Sequence, residues 1–323
     1  MKAMVCAALG GPLALSDLPP PALPPGGVRI TVAAAGVNFA DTLLIAGKYQ
    51  EKLAPPFAPG MELAGTVTEV APGVATCKLG DRVMAVVTGG AWAEEAVAAE
   101  TDVFVLPDTV DFVTAAAFPI AWGTSHHALG HKARLAAGET LVVHGAAGGV
   151  GLTAVAVGRA LGATVIATAG GPEKLRVALE HGAHHAIDSR AEDVRARIKE
   201  LTGGRGADVV YDPVGGDLFE ASLRSIAPDG RILAIGFASG TVPRIPANIL
   251  LVKNVTVIGY WWGAYRKLDP ASLRRSMAEL LAWLAQGRIR QHVSATLPLA
   301  EAEAALAMLK DRRATGKLVL TPE

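Results

Sequence analysis

The chain is poor in the features that hold small scaffolds and metal modules together. Its 323 residues contain two cysteines, Cys6 and Cys77, with no paired spacing. That excludes a disulfide framework and a cysteine zinc module. Charge of one sign is not in excess, since Lys+Arg and Asp+Glu both number 30. Such a balance gives no overall pull towards nucleic acid or an anionic membrane. No apolar run reaches a membrane-spanning length. The opening MKAMVCAALGGPLAL breaks at Gly10-Gly11-Pro12, so it reads as a first strand and turn rather than a signal peptide. The expectation is a cytoplasmic, soluble protein. With 51% hydrophobic residues, 36 Gly and 19% charged residues, the chain has enough apolar material for two well-filled cores.

One further absence is local. No acidic residue occurs from Leu152 to Pro172, and the stretch just before it carries the clearest signal in the chain. Thr140–Val143 is β-rich, GAAGGVG spans 145–151, and Leu152–Leu161 is a run of small and apolar residues closed by Gly162. Thr164–Thr168 is a second strand. Strand, glycine-rich turn, helix and strand within about thirty residues form the βαβ unit that binds dinucleotides. Gly148 and Gly151 let the backbone approach a pyrophosphate and let the helix pack on the first strand. The positive helix end then faces the anion. Ala146 holds the place of the first glycine of the usual pattern, and the strand–turn–helix context compensates for that loss.

The end of the second strand selects the dinucleotide. A carboxylate there would bond the ribose hydroxyls of NAD and repel a 2′-phosphate. This chain has Thr168-Ala169-Gly170-Gly171 instead, followed by Lys174. Lys174 is either a point charge for a phosphate or a solvated helix lysine beside Glu173. The missing acid argues for NADPH.

Along the rest of the chain, residues 1 to about 118 read as closely spaced strands. Val28–Val32, Gly65–Val70, Asp81–Val87 and Val103–Leu106 are separated by Gly, Pro and Asp turns, with a short helix from Asn38 to Ala46. The proline-rich Pro19–Gly27 reads as a loop between strands. From Ala121 helices and strands alternate: helix Glu173–His181, strand Ala186-Ile187, a helix near Glu192–Leu201, strand Asp208–Tyr211, a helix near Leu218–Ile226, and strands Arg231–Ile235 and Val255–Ile258. That pattern predicts a six-strand doubly wound sheet. Amphipathic helices near Pro270–Gln286 and Leu299–Asp311 precede a last strand, Lys317–Leu320.

Ordered motifs run along nearly the whole chain: AAGVNFAD at 33–41, PGMELAGTV at 59–67, GDRV at 80–83, GGAWAE at 89–94, HGAAGGVGL at 144–152, YDPVGG at 211–216 and ATGKLVL at 314–320. With these motifs the chain resembles the medium-chain dehydrogenase/reductase superfamily, and within it the zinc-independent NADPH:quinone oxidoreductases. The resemblance implies an α/β fold in which a Rossmann domain, residues 121–259, is inserted in a β-rich GroES-like catalytic domain, residues 1–120 and 260–323. It also implies a homodimer or dimer-based tetramer paired through the Rossmann edge strand Val255–Ile258.

In the zinc-dependent branch a Cys and a His supply metal ligands where this chain has Asn38 and Met61, and the lobe for structural zinc is missing. Glu62 alone cannot hold a catalytic zinc. His127 and His131 stand one turn apart, with no third ligand beside them, so surface or interface histidines are the expectation. Without a Lewis acid worth several kcal/mol, hydrogen-bond donors supply roughly 3–4 kcal/mol each. A metal-free site therefore suits acceptors that delocalise charge, namely quinones or alkenes conjugated to a carbonyl.

Carried over by the resemblance, Asn38 either faces the nicotinamide or acceptor oxygen or caps the following helix. Tyr49 either donates a hydrogen bond or packs. Gly148, Gly149 and Val150 are expected at the pyrophosphate, and Thr168, Gly170 and Lys174 at the adenosine end. Ser189 stands where relatives often have a tyrosine. Thr124, the loop Gly236-Phe237-Ala238 and, more weakly, Lys317 are expected near the nicotinamide. Trp261, Trp262 and Tyr265 form either an aromatic wall for a flat acceptor or packing between domains. The leading reading is hydride transfer from NADPH to quinones. Reduction of α,β-unsaturated carbonyls or enoyl thioesters is its close rival. A non-catalytic NADPH-binding protein, like the lens crystallins or RNA-binding relatives, is the rival of another class.

Overall fold

The computed structural model describes residues 1–322. The chain divides into two compact units, Met1–Ile120 with Arg290–Glu323, and Ala121–Ile289. The second unit thus runs on to Ile289, thirty residues beyond the expected boundary at 259. The stretch from Tyr260 onwards, including the long helix after Asp269, belongs with the nucleotide-binding unit. That helix buries Leu273, Met277, Leu280 and Trp283, and His126 and His127 bond its serines.

The chain begins with a hairpin, β1 (Lys2–Cys6) and β2 (Leu13–Asp17). Then come β3 (Gly27–Val37), α1 (Phe39–Ile45), β4 (Glu62–Val70), β5 (Arg82–Val86), β6 (Glu95–Ala99), β7 (Val103–Val105) and α2 (Phe112–Ala116). α3 (Pro119–His126) crosses into the second unit and continues as a π-helical turn at His127–Lys132. The second unit holds β8 (Thr140–Val143), α4 (Gly149–Ala160), β9 (Thr164–Ala169), α5 (Pro172–Glu180), β10 (His185–Asp188), α6 (Val194–Leu201), β11 (Ala207–Asp212), α7 (Asp217–Ser225), β12 (Ile226–Ala234), α8 (Ala247–Lys253), β13 (Thr256–Gly259), α9 (Tyr265–Leu268) and α10 (Pro270–Ala285). The chain returns to the first unit with β14 (Val293–Pro298), α11 (Ala302–Lys310) and β15 (Lys317–Thr321).

In the first unit the larger sheet has the order β14-β15-β3-β4-β5-β7, with β6 also pairing β3. β3 is its backbone. It pairs antiparallel with β4, β6 and β15, so its end at Val37 lies opposite Leu318. The three motifs around Asn38, Glu62 and Lys317 are far apart in sequence, and this pairing brings them together. A left-handed Gly60 (φ +89) makes the turn before β4. A Cβ there would sit 2.3 Å from the buried Trp92 ring, which explains glycine in the PGMEL motif.

In the second unit six parallel strands run β10-β9-β8-β11-β12-β13. This is the doubly wound order expected from the alternating pattern, and strand order reverses between β8 and β11. Ligands in such sheets bind beyond the carboxyl ends of the strands at that switch. Val142, Ile166, Val210 and Ile232 are fully buried at the centre of this sheet, as a parallel sheet covered on both faces requires.

Candidate functional site

The switch point is where the glycine turn lies. The Ala146 N–H donates to Thr168 O at 3.0 Å, and the Gly148 N–H to Gly145 O at 2.9 Å. A Cβ on Gly151 would stand 2.1 Å from Gly145 O, and one on Gly158 would stand 2.4 Å from Leu141. Glycine at these two positions lets α4 lie close on its own turn and on β8. Gly148 differs, because a Cβ there would meet only Gly145 O, at 3.4 Å. Gly148, Gly149 and Val150 are all half-exposed. The N–H groups of Gly149 and Val150 have no protein acceptor among the described residues. Two amides without a protein acceptor thus stand at the positive end of a 12-residue helix, free to meet an anion.

At the end of β9, Thr168 is fully buried and its hydroxyl lies 2.8 Å from His144 Nδ1. On the other side of the ring, Nε2 lies 2.7 Å from Ser222 Oγ, whose own proton goes to Leu218 O. Ser222 can therefore only accept from the ring, so His144 carries its proton on Nε2 and Thr168 donates to Nδ1. Burial lowers the His144 pKa and keeps the ring neutral. The Thr168 hydroxyl is thus turned into the sheet, towards His144. Gly170 is explained by a neighbour from the next strand's turn, since its Cβ position lies 2.5 Å from Arg190 Nε. Ser189 donates its N–H to Ala169 O at 3.0 Å, so the β10 turn sits directly beside the end of β9. Lys174 is half-buried in the first turn of α5.

In the first unit, Lys317 emerges from β15 with 2% exposure. Its ammonium donates to Val37 O at 2.8 Å, Asn38 Oδ1 at 2.6 Å and Glu62 Oε1 at 2.7 Å. All three protons are spent on these acceptors, so the ammonium holds Asn38 and Glu62 in place. Glu62 also accepts from Asn38 Nδ2 at 2.8 Å and from the Ile120 N–H at 2.9 Å. The Asn38 amide is held by both ends, Oδ1 to the ammonium and Nδ2 to the carboxylate. One Nδ2 hydrogen remains without a protein acceptor among the described residues. The helix α1 is capped in reverse, by Asp41 Oδ2 accepting the Asn38 N–H at 2.7 Å. Asp41 is fully buried, its Oδ1 has no partner among the described residues, and burial pushes its carboxyl up to about 7. Tyr49 is half-buried and packs against the core of this unit.

The other expected residues sort by unit. Thr124 is 7% exposed on α3. Gly236 and Ala238 are tied to the β11 turn through Asp212 O and Pro213 O, and Phe237 is exposed. Trp262 is buried with its indole edge against Gly123 and its Nε1–H unpartnered among the described residues, while Trp261 is half-buried. Tyr265 instead joins His127, 4.6 Å between ring centroids. His127 and His131 stack at 4.4 Å. Both nitrogens of His127 are taken, Nδ1 by Tyr260 OH at 2.9 Å and Nε2 by Ser272 Oγ at 3.0 Å. That leaves no lone pair for a metal.

Two family models match the chain, the alcohol dehydrogenase GroES-like domain over residues 24–108 and the zinc-binding dehydrogenase over 149–286. A quinone oxidoreductase-like protein 2 homolog of Nematostella vectensis is 42% identical over 99% of this chain and 88% of its own length. The quinone oxidoreductase of Pseudomonas aeruginosa is 40% identical, with 99% of each chain covered. Among solved structures, Escherichia coli quinone oxidoreductase complexed with NADPH superposes with a TM-score of 0.92 at 32% identity, with both chains fully covered. The fold and the nucleotide turn are therefore those of a medium-chain dehydrogenase/reductase. Within that superfamily the chain belongs to the quinone oxidoreductase family, and it is an oxidoreductase.

Proposed function

We propose that this chain is an NADPH-dependent reductase that delivers hydride to quinones without a metal. The observation that carries the nucleotide half is the pair of free amides, Gly149 and Val150, at the head of α4 in a turn that glycines pack closed. They would take the pyrophosphate, and β9 with the turn that follows it, up to Pro172, carries no carboxylate of its own to repel a 2′-phosphate. Bound NADPH would supply the hydride. The likeness to NADPH-bound Escherichia coli quinone oxidoreductase supports the same choice.

The metal-free half rests on donor chemistry. Asn38 stands with its amide oxygen on an ammonium, Met61 is buried with a thioether only, and both Glu62 oxygens are already hydrogen-bonded. A buried ammonium beside Glu62 supplies the positive charge that a cation would otherwise bring. Asn38, with its remaining N–H, and Tyr49 are assigned to the acceptor. Steady-state oxidation of NADPH against naphthoquinones, enals and enoyl-CoA thioesters tests the reading, before and after exhaustive chelation. Turnover of quinones that survives chelation is expected. Turnover confined to enoyl thioesters, or lost on chelation and restored by zinc, contradicts it.

A further inference from the structure

The fold lays Arg190 over the end of β9. Its side chain runs across Gly170, with Nε, Cδ and Cγ 2.5, 3.0 and 3.1 Å from where a Cβ of Gly170 would be. Any other residue at 170 would displace it. The turn that carries it is fixed by three bonds. Asp188 Oδ1 accepts the Gly171 N–H at 3.2 Å and the Arg190 N–H at 2.9 Å, and Glu192 Oε1 accepts the Asp188 N–H at 2.7 Å. The Arg190 guanidinium is exposed, with no ion pair or hydrogen-bond acceptor among the described residues. Just beside it, Gly171 has φ +91 and nothing within 4 Å of its Cβ position. An unused planar cation thus stands over an open backbone at the end of the second strand, where this fold reads ribose O2′.

The same turn holds a carboxylate of the opposite meaning. Asp188, at the end of β10, bonds the Gly171 N–H, and its pKa is lowered chiefly by its backbone hydrogen bonds. An unbalanced anion at this place would favour a ribose diol over a phosphate.

We propose that Arg190 clamps the 2′-phosphate of NADPH and offsets Asp188, and so sets the cofactor preference where Ser189 offers no aromatic ring. A guanidinium fork takes two oxygens of a phosphomonoester, whereas Lys174 contributes a point charge. This rests on the nucleotide-binding reading above and names the residue that decides between the two dinucleotides.

Isothermal titration of the wild-type protein and of Arg190→Ala and Arg190→Lys, with NADPH, NADH and 2′,5′-ADP, is the test. It is paired with ³¹P NMR titration of the bound 2′-phosphate. For Arg190→Ala, NADPH and 2′,5′-ADP affinities fall about tenfold or more while NADH is held within about twofold, so the preference ratio drops to near one or below. Arg190→Lys is intermediate. The 2′-phosphate pKa, depressed in the wild-type complex, returns towards its free value in Arg190→Ala. Unchanged NADPH affinity in Arg190→Ala, or equal losses for NADPH and NADH, overturns the assignment of Arg190 alone. A wild-type protein that binds neither dinucleotide overturns the nucleotide-binding reading itself.

Discussion

The ammonium of Lys317 lies 2.7 Å from Glu62 Oε1, and both side chains are closed off from solvent. The two charges come from opposite ends of the chain and meet only because β15 and β4 both pair with β3. A buried pair of this kind is stable as a pair and costly when halved. Lys317→Met should therefore lower unfolding stability by about 3–5 kcal/mol, because it strands the Glu62 charge. Adding Glu62→Gln to that variant should recover much of the loss, as read by urea denaturation. Losses that simply add would show that the charges do not sense each other.

The same cluster orients Asn38, so these substitutions should also reach the chemistry. In Asn38→Ala, kcat for a quinone is expected to fall about tenfold or more, with the KM for NADPH little changed. Equal activity would remove Asn38 from the acceptor's surroundings.

Gly148 and Gly151 separate packing from ligand approach. In Gly151→Ala the new methyl meets Gly145 O at 2.1 Å, so the turn must open and thermal stability should drop. Gly148 has φ −81 and 3.4 Å of room, so Gly148→Ala should fold with an unchanged melting temperature. Its methyl would instead stand where the pyrophosphate approaches, and nucleotide affinity should fall about tenfold or more. Wild-type affinity in Gly148→Ala would place the phosphates elsewhere.

Two buried groups pull the pH dependence of stability in opposite directions. His144 has a lowered pKa in the fold, so the unfolded chain binds the proton more tightly and stability is lost as pH falls below about 6.5. Asp41 is raised to about 7, so its contribution is full below about pH 4 and is lost as pH rises through 7. Asp41→Asn should flatten the decline between pH 4 and 7 in a series of melting curves. A series unchanged by the substitution would mean that Asp41 titrates normally.

The edge strand β13 is the proposed dimer seam. Among the described residues it pairs on one side only, with β12, and it is half-exposed. Leu251 and Val252 on the adjoining α8 are 78% and 76% exposed, more apolar surface than a solitary edge usually shows. Light scattering should report a dimer for the wild-type chain and a monomer for Leu251→Lys/Val252→Lys. Identical masses would move the seam.

Much of this protein is determined by local pattern. The turn at 145–151, the flanking apolar strands and the alternation from Ala121 onwards fix a doubly wound sheet, because glycine conformation and side-chain period act within a few residues. The missing acid after Leu152 is likewise a property of the string alone. What the string leaves open depends on residues that meet across strands. Lys317 reads as a cofactor contact until β3 places it against Glu62 and Asn38. The Thr168 hydroxyl looks free in the string until the fold sets it to donate to His144 Nδ1. Arg190 looks like an ordinary surface arginine until the β10 turn folds it over Gly170. Hydrogen bonds and ion pairs between distant segments carry no periodic trace in sequence, so the tertiary pairing decides which polar groups are spent and which are free.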